Sequence, residues 1–362
     1  MRVLIVTRAS AAERPGGDVV VAQRAAEALR ALNVDADLVA SDAPDARGYD
    51  VAHVFGIFEP ARARAQLAAV RAAGIPAVVS PIWWDRSGFF AVTPYAERIL
   101  AGRHLSRIER GLARLRDVEN GIARRPGRGA ERRLREQADV LRTCDVAVTA
   151  SEIEAFACAT RLGAQHVRYV VAPYAVDEHG GGDANEPAPV RSGVLCVGRI
   201  ESLKNQAMLL LALHDVDVEV TIVGHAYDAR YAALCRRRAG RRTRFVERVS
   251  RAELNAMMRR AAVHALPSWG DLPGLVSLEA AAFGARVVAG GRGSEREYLG
   301  PYAEYVDPLD PGAIRAAVLR ALDAPPRAPG DELARRVGAL TWRAHAGRLH
   351  EAYALALQRP AR

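Results

Sequence analysis

The chain has 362 residues, half of them hydrophobic, with 51 Lys and Arg against 42 Asp and Glu and a formal net charge of +9. That length accommodates two domains of ~150 residues each, and the apolar fraction excludes a disordered chain. Two Arg-rich clusters, 103–135 and 236–251, read first as solvated helix faces. Aromatics are not interleaved with them, which argues against a nucleic-acid partner. The four cysteines (Cys144, Cys158, Cys196, Cys235) form no Cys-x-x-Cys pair, so a zinc ribbon and a disulfide framework are disfavoured and a reduced, cytoplasmic setting is expected. The opening apolar run is too short for a signal peptide, and no run approaches the ~18 apolar residues of a membrane span.

Val3-Leu4-Ile5-Val6 reads as a buried strand. A loop through Pro15-Gly16-Gly17-Asp18 follows, then a helix with Val21, Ala25, Leu29 and Leu32 on one face and Asp18 as its N-cap. Gly16 and Gly17 lack a Cβ, so a ligand can approach the backbone there. No Gly-x-Gly-x-x-Gly is present, which disfavours a dinucleotide-binding dehydrogenase. Strands at 36–39, 51–55 and 77–80 alternate with helical stretches such as 61–73, the pattern of a parallel sheet with crossover helices. His53, at a strand end, reads either as an acceptor ligand or as a core histidine with a satisfied ring. Trp84 and Asp85 follow the fourth strand, where the indole can stack on a sugar face or simply fill space. Residues 86–138 are Arg-rich and helical in pattern, broken at Pro126-Gly127-Arg128-Gly129. Another strand lies at 145–149. The polar stretch 177–191, rich in Gly and Pro, reads as an interdomain linker.

The second half opens with Val194-Leu195-Cys196-Val197-Gly198, a strand whose loop carries Arg199 and Lys204. Strands at 218–224 and 243–246 follow, then the loop with Arg248. Val263-His264-Ala265-Leu266 is a short buried strand stopped by Pro267. Pro273 and Gly274 then open a helix, with Leu275 and Val276 in its first turn, which ends at Gly284 before Val287-Val288-Ala289. Asp271 and Glu279 stand eight positions apart across that helix N-terminus, where free N–H groups suit an anion and carboxylates suit sugar hydroxyls. The loop 290–297 has no Lys-Ser/Thr after its glycines and is not a Walker loop. Beyond Thr341-Trp342, Leu349, Tyr353 and Leu357 recur every fourth residue on a last helix.

The stretch Pro267-Ser268…Asp271…Gly274-Leu275…Glu279-Ala280…Gly284…Val287-Val288 resembles the acidic signature of the retaining GT-B glycosyltransferases of family 4, the group 1 family. Asp271 stands where that family carries Glu. Gly198-Arg199…Lys204 resembles its Gly-Arg-x-x-x-x-Lys motif, in which two cations hold the donor diphosphate. Pro173, Val176 and Asp177 match its interdomain hinge, and Trp84 replaces the His of a His-Asp pair.

The resemblance implies an α/β GT-B fold of two Rossmann-like domains whose parallel sheets face a central cleft. An acceptor-binding domain is expected at 1–176, a nucleotide-sugar-binding domain at 177–342, and a final helix, 343–362, packed back on the first. It implies a retaining, metal-independent hexosyltransferase without cofactor, using a UDP- or GDP-sugar and a glycan or lipid-linked acceptor. A polysaccharide, lipopolysaccharide or glycolipid pathway would be its setting. Arg199, Lys204, Asp271 and Glu279 would be catalytic. Gly16, Gly17, Gly198, Arg199, Lys204, Arg248, Pro273, Gly274, Leu275, Val276 and Glu279 would bind the donor, and His53, Trp84 and Asp85 the acceptor. The Arg-rich stretch would touch the anionic inner face of the plasma membrane. The competing reading is a catalytically silent GT-B scaffold or a basic nucleic-acid- or membrane-binding protein.

Overall fold

The computed structural model describes residues 1–13, 16–109, 111–112, 128–177, 190–328 and 330–358. The described residues form two units: those of Met1–Asp85, Ala123–Ala175 and Leu340–Arg362, and those of Arg86–Ile122 and Val176–Ala339. The proposed linker lies almost wholly outside the described residues, as do residues 110 and 113–127 of the first Arg-rich stretch, including its break at 126–127.

In the first unit the apolar runs become β1 (Arg2–Thr7), β2 (Asp35–Ala40), β3 (Val51–Phe55), β4 (Ala77–Ser80), β5 (Val146–Thr149) and β6 (Tyr169–Val171). They pair in parallel in the order β2-β1-β3-β4-β5-β6. β3, β4 and β5 are buried at every residue, as strands covered by helices on both faces must be. Leu4, Val54, Leu67, Val79 and Leu141 form part of one core of this unit. On the other side the helix Trp342–Leu357, capped by Thr341 accepting from the Ala344 N–H, buries Leu349 and Tyr353. The helix Gly17–Ala31 is capped by the backbone of Gly16. Asp18 is therefore not the N-cap; it lies in the first turn, where its carboxylate takes the Arg8 guanidinium at 3.0 Å.

In the second unit the strands are β7 (Ser192–Val197), β8 (Val220–Val223), β9 (Thr243–Val246), β10 (Ala261–Leu266), β11 (Arg286–Ala289) and β12 (Glu304–Tyr305). All pairings are again parallel, in the order β12-β11-β10-β7-β8-β9. Two residues of β12 were too few to be expected from the sequence.

The helix Ser87–Leu100 also belongs to this unit, whereas chain order placed it in the first domain. Its Val92, Ala96 and Leu100 join the core of Met208, Leu209, Ile222 and Trp269, with Phe89, Tyr95 and Ile99 against it. Burial of that apolar stripe, not position along the chain, decides the unit it joins.

Candidate functional site

The second sheet reverses its strand order between β7 and β10, so the loops leaving those two strands diverge and open a crevice at their carboxyl ends. Those loops carry Gly198, Arg199 and Lys204 on one side and Asp271 on the other. Asn205 ties them together: it sits in the left-handed region (φ 61°), and its buried side-chain amide donates to the carbonyls of Pro267 at 3.0 Å and Pro308 at 2.7 Å. The Trp269 N–H donates to the Leu203 carbonyl at 2.9 Å. Held this way, Lys204 Nζ donates to Asp271 Oδ1, with side chains only 17% and 11% exposed. The two residues expected to act on one ligand are thus brought into direct contact.

Glu295 lies beneath this pair. It is buried and accepts the Gly293 N–H at 2.8 Å. Burial, then the charge of Asp271, pushes its carboxyl up to about 8, against the opposing pull of the Gly293 N–H and Lys204. Sequence reading placed this glutamate on a loop and gave it no role. The available signal was Gly293, where a Cβ would come 1.8 Å from the Asp271 carbonyl oxygen, so only glycine lets the two loops close. His264 is likewise fully buried, 3.4 Å from the Ser277 hydroxyl, and burial lowers it to about 4.

The helix Leu275–Ala282 starts after Gly274, which occupies the left-handed region at φ 79°. Pro273 is buried beside it, and the half-buried Leu275 and Val276 present the first-turn N–H groups. Glu279 sits one turn further along and is gripped by Arg251 in a two-pronged contact, Nη2–Oε1 2.7 Å and Nη1–Oε2 3.1 Å. The same guanidinium is 3.9 Å from Asp177. In the sequence Arg251 is simply the last member of the 236–251 basic cluster. Its position is set by a capping box, in which Ser250 accepts the Glu253 N–H and Glu253 accepts the Ser250 N–H.

Arg199 is more exposed, bound to Glu201 at 2.8 Å with its guanidinium 5.0 Å over the Tyr227 ring. Arg248 is exposed in the loop after β9. The rest of the basic cluster is partly consumed by structure: Arg242 meets Asp217 and Glu219, and Arg238 donates to the Leu100 carbonyl.

In the first unit the expectation that His53 binds an acceptor is also corrected. His53 is not at a ligand surface: it is fully buried, with Nδ1 2.9 Å from the Tyr353 hydroxyl and Nε2 2.9 Å from the Ser80 hydroxyl. Burial, then the charge of His345, lowers it to about 3. Trp84 is half-buried, and Asp85 is bound by Arg161 at 2.6 Å. The neighbouring Trp83 is the packing tryptophan, its indole N–H donating to Gln137 at 2.9 Å. Of the first Arg-rich stretch, Arg103 and Arg107 are exposed beside the exposed Ile108.

Two doubly wound six-stranded parallel sheets in one chain make this a protein of the GT-B fold class. More particularly, residues 191–324, which contain the Lys204–Asp271 pair and Glu279, match the family model "Glycosyl transferases group 1". Solved structures similar to the whole chain include a sucrose-phosphate synthase from Thermosynechococcus elongatus, 17% identical over 98% of both chains with a TM-score of 0.71. A UDP-forming trehalose-phosphate synthase from Burkholderia xenovorans, solved with glucose-6-phosphate, is 13% identical over 98% of this chain and 100% of its own, TM-score 0.67. The catalytic domain of starch synthase IV from Arabidopsis thaliana, bound to ADP and acarbose, is 11% identical over 99% of this chain and 100% of its own, TM-score 0.65. No curated protein matches the chain. Among the described residues, no helix is long and apolar enough to cross a membrane.

Proposed function

We propose that the protein transfers a sugar from a nucleoside diphosphate sugar to an acceptor hydroxyl with retention of configuration. The observation that carries this reading is the Lys204–Asp271 contact at the strand-order reversal of the second sheet. There a part-buried cation meets a part-buried carboxylate beside the first-turn N–H groups of the helix Leu275–Ala282. Lys204 and Arg199 receive the diphosphate, Lys204 exchanging one oxygen of Asp271 for phosphate oxygen, and Asp271 turns to a sugar hydroxyl. Glu279, held by Arg251, accepts the ribose hydroxyls. The bond from the anomeric carbon to the diphosphate breaks as the bond to the acceptor oxygen forms on the same face. The acceptor proton passes to the departing diphosphate. Fixed cations stabilise the charge that develops on that leaving group.

The test is thermal stability in the presence of UDP, GDP and their sugar conjugates, for the wild type and for Lys204→Ala and Glu279→Ala. A ligand that binds only the folded state raises stability by ~2.7 kcal/mol at a hundredfold excess over its Kd. One nucleotide should stabilise the wild type, and Lys204→Ala should lose most of that gain. If no nucleotide shifts the wild type, the transfer reading falls and a silent scaffold takes its place.

A further inference from the structure

The first sheet has its own reversal point. In the order β2-β1-β3, the chain steps outward from β1 to β2 and then back past β1 to β3, so the loops after β1 and β3 part above the sheet. At their mouth lies a pocket of about 330 Å³ lined by Arg8, Ser10, Glu13, Asp42, Glu59 and Arg62, all of this unit. None of them has a part in the donor site. The volume lies at the small end of ligand pockets, ~300–1,000 Å³, suited to a single ring rather than a chain.

The walls are braced. Gln66, fully buried, donates to the carbonyls of Thr7 at 3.0 Å and Ser41 at 2.8 Å, pinning the ends of β1 and β2 to the helix Pro60–Ala72. The Ala9 N–H donates to Asp42 Oδ1 at 3.1 Å, and Arg8 Nη1 to the Ser10 carbonyl at 3.1 Å.

Charge pairing then selects the occupant. Arg8 is matched by Asp18 at 3.0 Å, and Arg62, its side chain 12% exposed, by Glu59 at 2.9 Å. No ion pair among the described residues engages Glu13 or Asp42, so within the described lining these two carboxylates stay outside any ion pair. An anionic ligand would sit against both. A divalent cation is a poor match as well, since among the described residues no three His, Cys, Asp or Glu side chains are placed to ligate one. A protonated amine satisfies the two carboxylates, and the Arg62 fork, Glu59 and Ser10 are donors and acceptors for hydroxyls. The described lining offers no aromatic ring on which a bare sugar face could stack.

We propose that this pocket binds a small polyhydroxylated amine, an amino-sugar or aminocyclitol unit, with its ammonium between Glu13 and Asp42. Its role as the acceptor rests on the sugar-transfer reading; the binding itself does not. Because both carboxylates are exposed, the attraction is screened and weakens with salt.

The experiment is calorimetric titration of the full chain at neutral pH and low salt with ring-matched probes. These are glucosamine, glucose and glucose-6-phosphate, and 2-deoxystreptamine against myo-inositol. At least one amine should bind about three- to tenfold tighter than its neutral counterpart, what two exposed ion pairs contribute. The sugar phosphate should bind most weakly. The double variant Glu13→Gln/Asp42→Asn, with unchanged Tm, should lose the amine preference. Amines binding no better than neutral rings, glucose-6-phosphate binding tightest, or a preference that survives the double variant each overturns the proposal. The UDP and GDP shifts measured on the same samples separate the two ideas. Amine binding without a nucleotide shift removes the transfer reading and leaves the pocket; a nucleotide shift without amine preference does the reverse.

Discussion

The two sheets have the same number of strands and the same direction throughout, yet they treat their glycine loops in opposite ways. In the first unit a Cβ at Gly17 would meet nothing within 4 Å, and the nearest atoms to one at Gly16 belong to side chains that can move, the Asp18 carboxylate and the Arg8 guanidinium. In the second unit a Cβ at Gly224, Gly290 or Gly293 would come within 2 Å of a backbone oxygen. The Gly16-Gly17 pair, which looked like the place of close approach, is the roomy one. Tight contact is concentrated where loop meets loop around Lys204, Asp271 and Glu295. Glycine in a sequence marks permission for close approach; only the fold shows where that permission is used.

The largest effect that sharpens this contrast is Gly293→Ala. Its Cβ cannot be accommodated without parting the loop of Gly293 from that of Asp271, because the clash is with backbone and not with a side chain that can swing away. Overpacking of this kind costs ~1–3 kcal/mol, and more when the backbone is the obstacle. Gly17→Ala, in a helical position with open space, should be neutral or stabilising by up to ~1 kcal/mol. Thermal melts of the two variants check the pair, and equal losses would erase the distinction.

A second, smaller contrast lies in pH. Glu295 in the second unit titrates near 8 when folded, against an ordinary value of 4.5. The folded state therefore holds a proton that the unfolded state has lost across that window, and stability falls as pH rises from about 4.5 to 8. In the first unit His53 and His345 are lowered, chiefly by burial, to about 3 and about 4 from 6.5. Their contribution is complete above 6.5 and is lost as pH falls through the range below it. Peptide-resolved hydrogen exchange, corrected for intrinsic rates, should show the second unit loosening on the alkaline side and the first losing more on the acid side, where among the described residues the second has His264 alone of this kind. Glu295→Gln should flatten the alkaline loss, at most ~1.4 kcal/mol per pH unit. An unchanged slope in that variant would assign the loss elsewhere.

The strands were legible because a parallel sheet buried on both faces needs continuous apolar runs, as in Val3-Leu4-Ile5-Val6 and Val263-His264-Ala265-Leu266. The Lys204 and Asp271 loops were legible because residue types and spacing survive in one dimension. Three things were not. The helix Ser87–Leu100 shows its apolar stripe but not its partner, since what covers Phe89 and Tyr95 is more than a hundred positions away in sequence. Glu295 looks like any loop acid until the closure at Gly293 buries it. Arg251 looks like one arginine among many until the cap at Ser250 aims it at Glu279. Each depends on a contact between distant segments, which no local pattern encodes.

Arg251 gives the smallest and most discriminating prediction. Its side chain is 45% exposed while that of Glu279 is 12% exposed, so as a stabilising pair it is screened, and Arg251→Ala should change stability by no more than ~0.5 kcal/mol. Its effect on nucleotide binding follows from geometry. Each of two guanidinium nitrogens takes one carboxylate oxygen, so Arg251 fixes the plane and orientation of the Glu279 carboxylate. Loss of that orientation should weaken nucleotide binding about threefold, on the scale of one or two freed rotors. Lys at this position, a point charge without a fork, should recover only part of it. In a Glu279→Ala background the Arg251→Ala change should then have no further effect on binding. If the weakening persists there, Arg251 meets the nucleotide itself, and the donor site of the second unit extends one helix further than the Lys204–Asp271 pair implies.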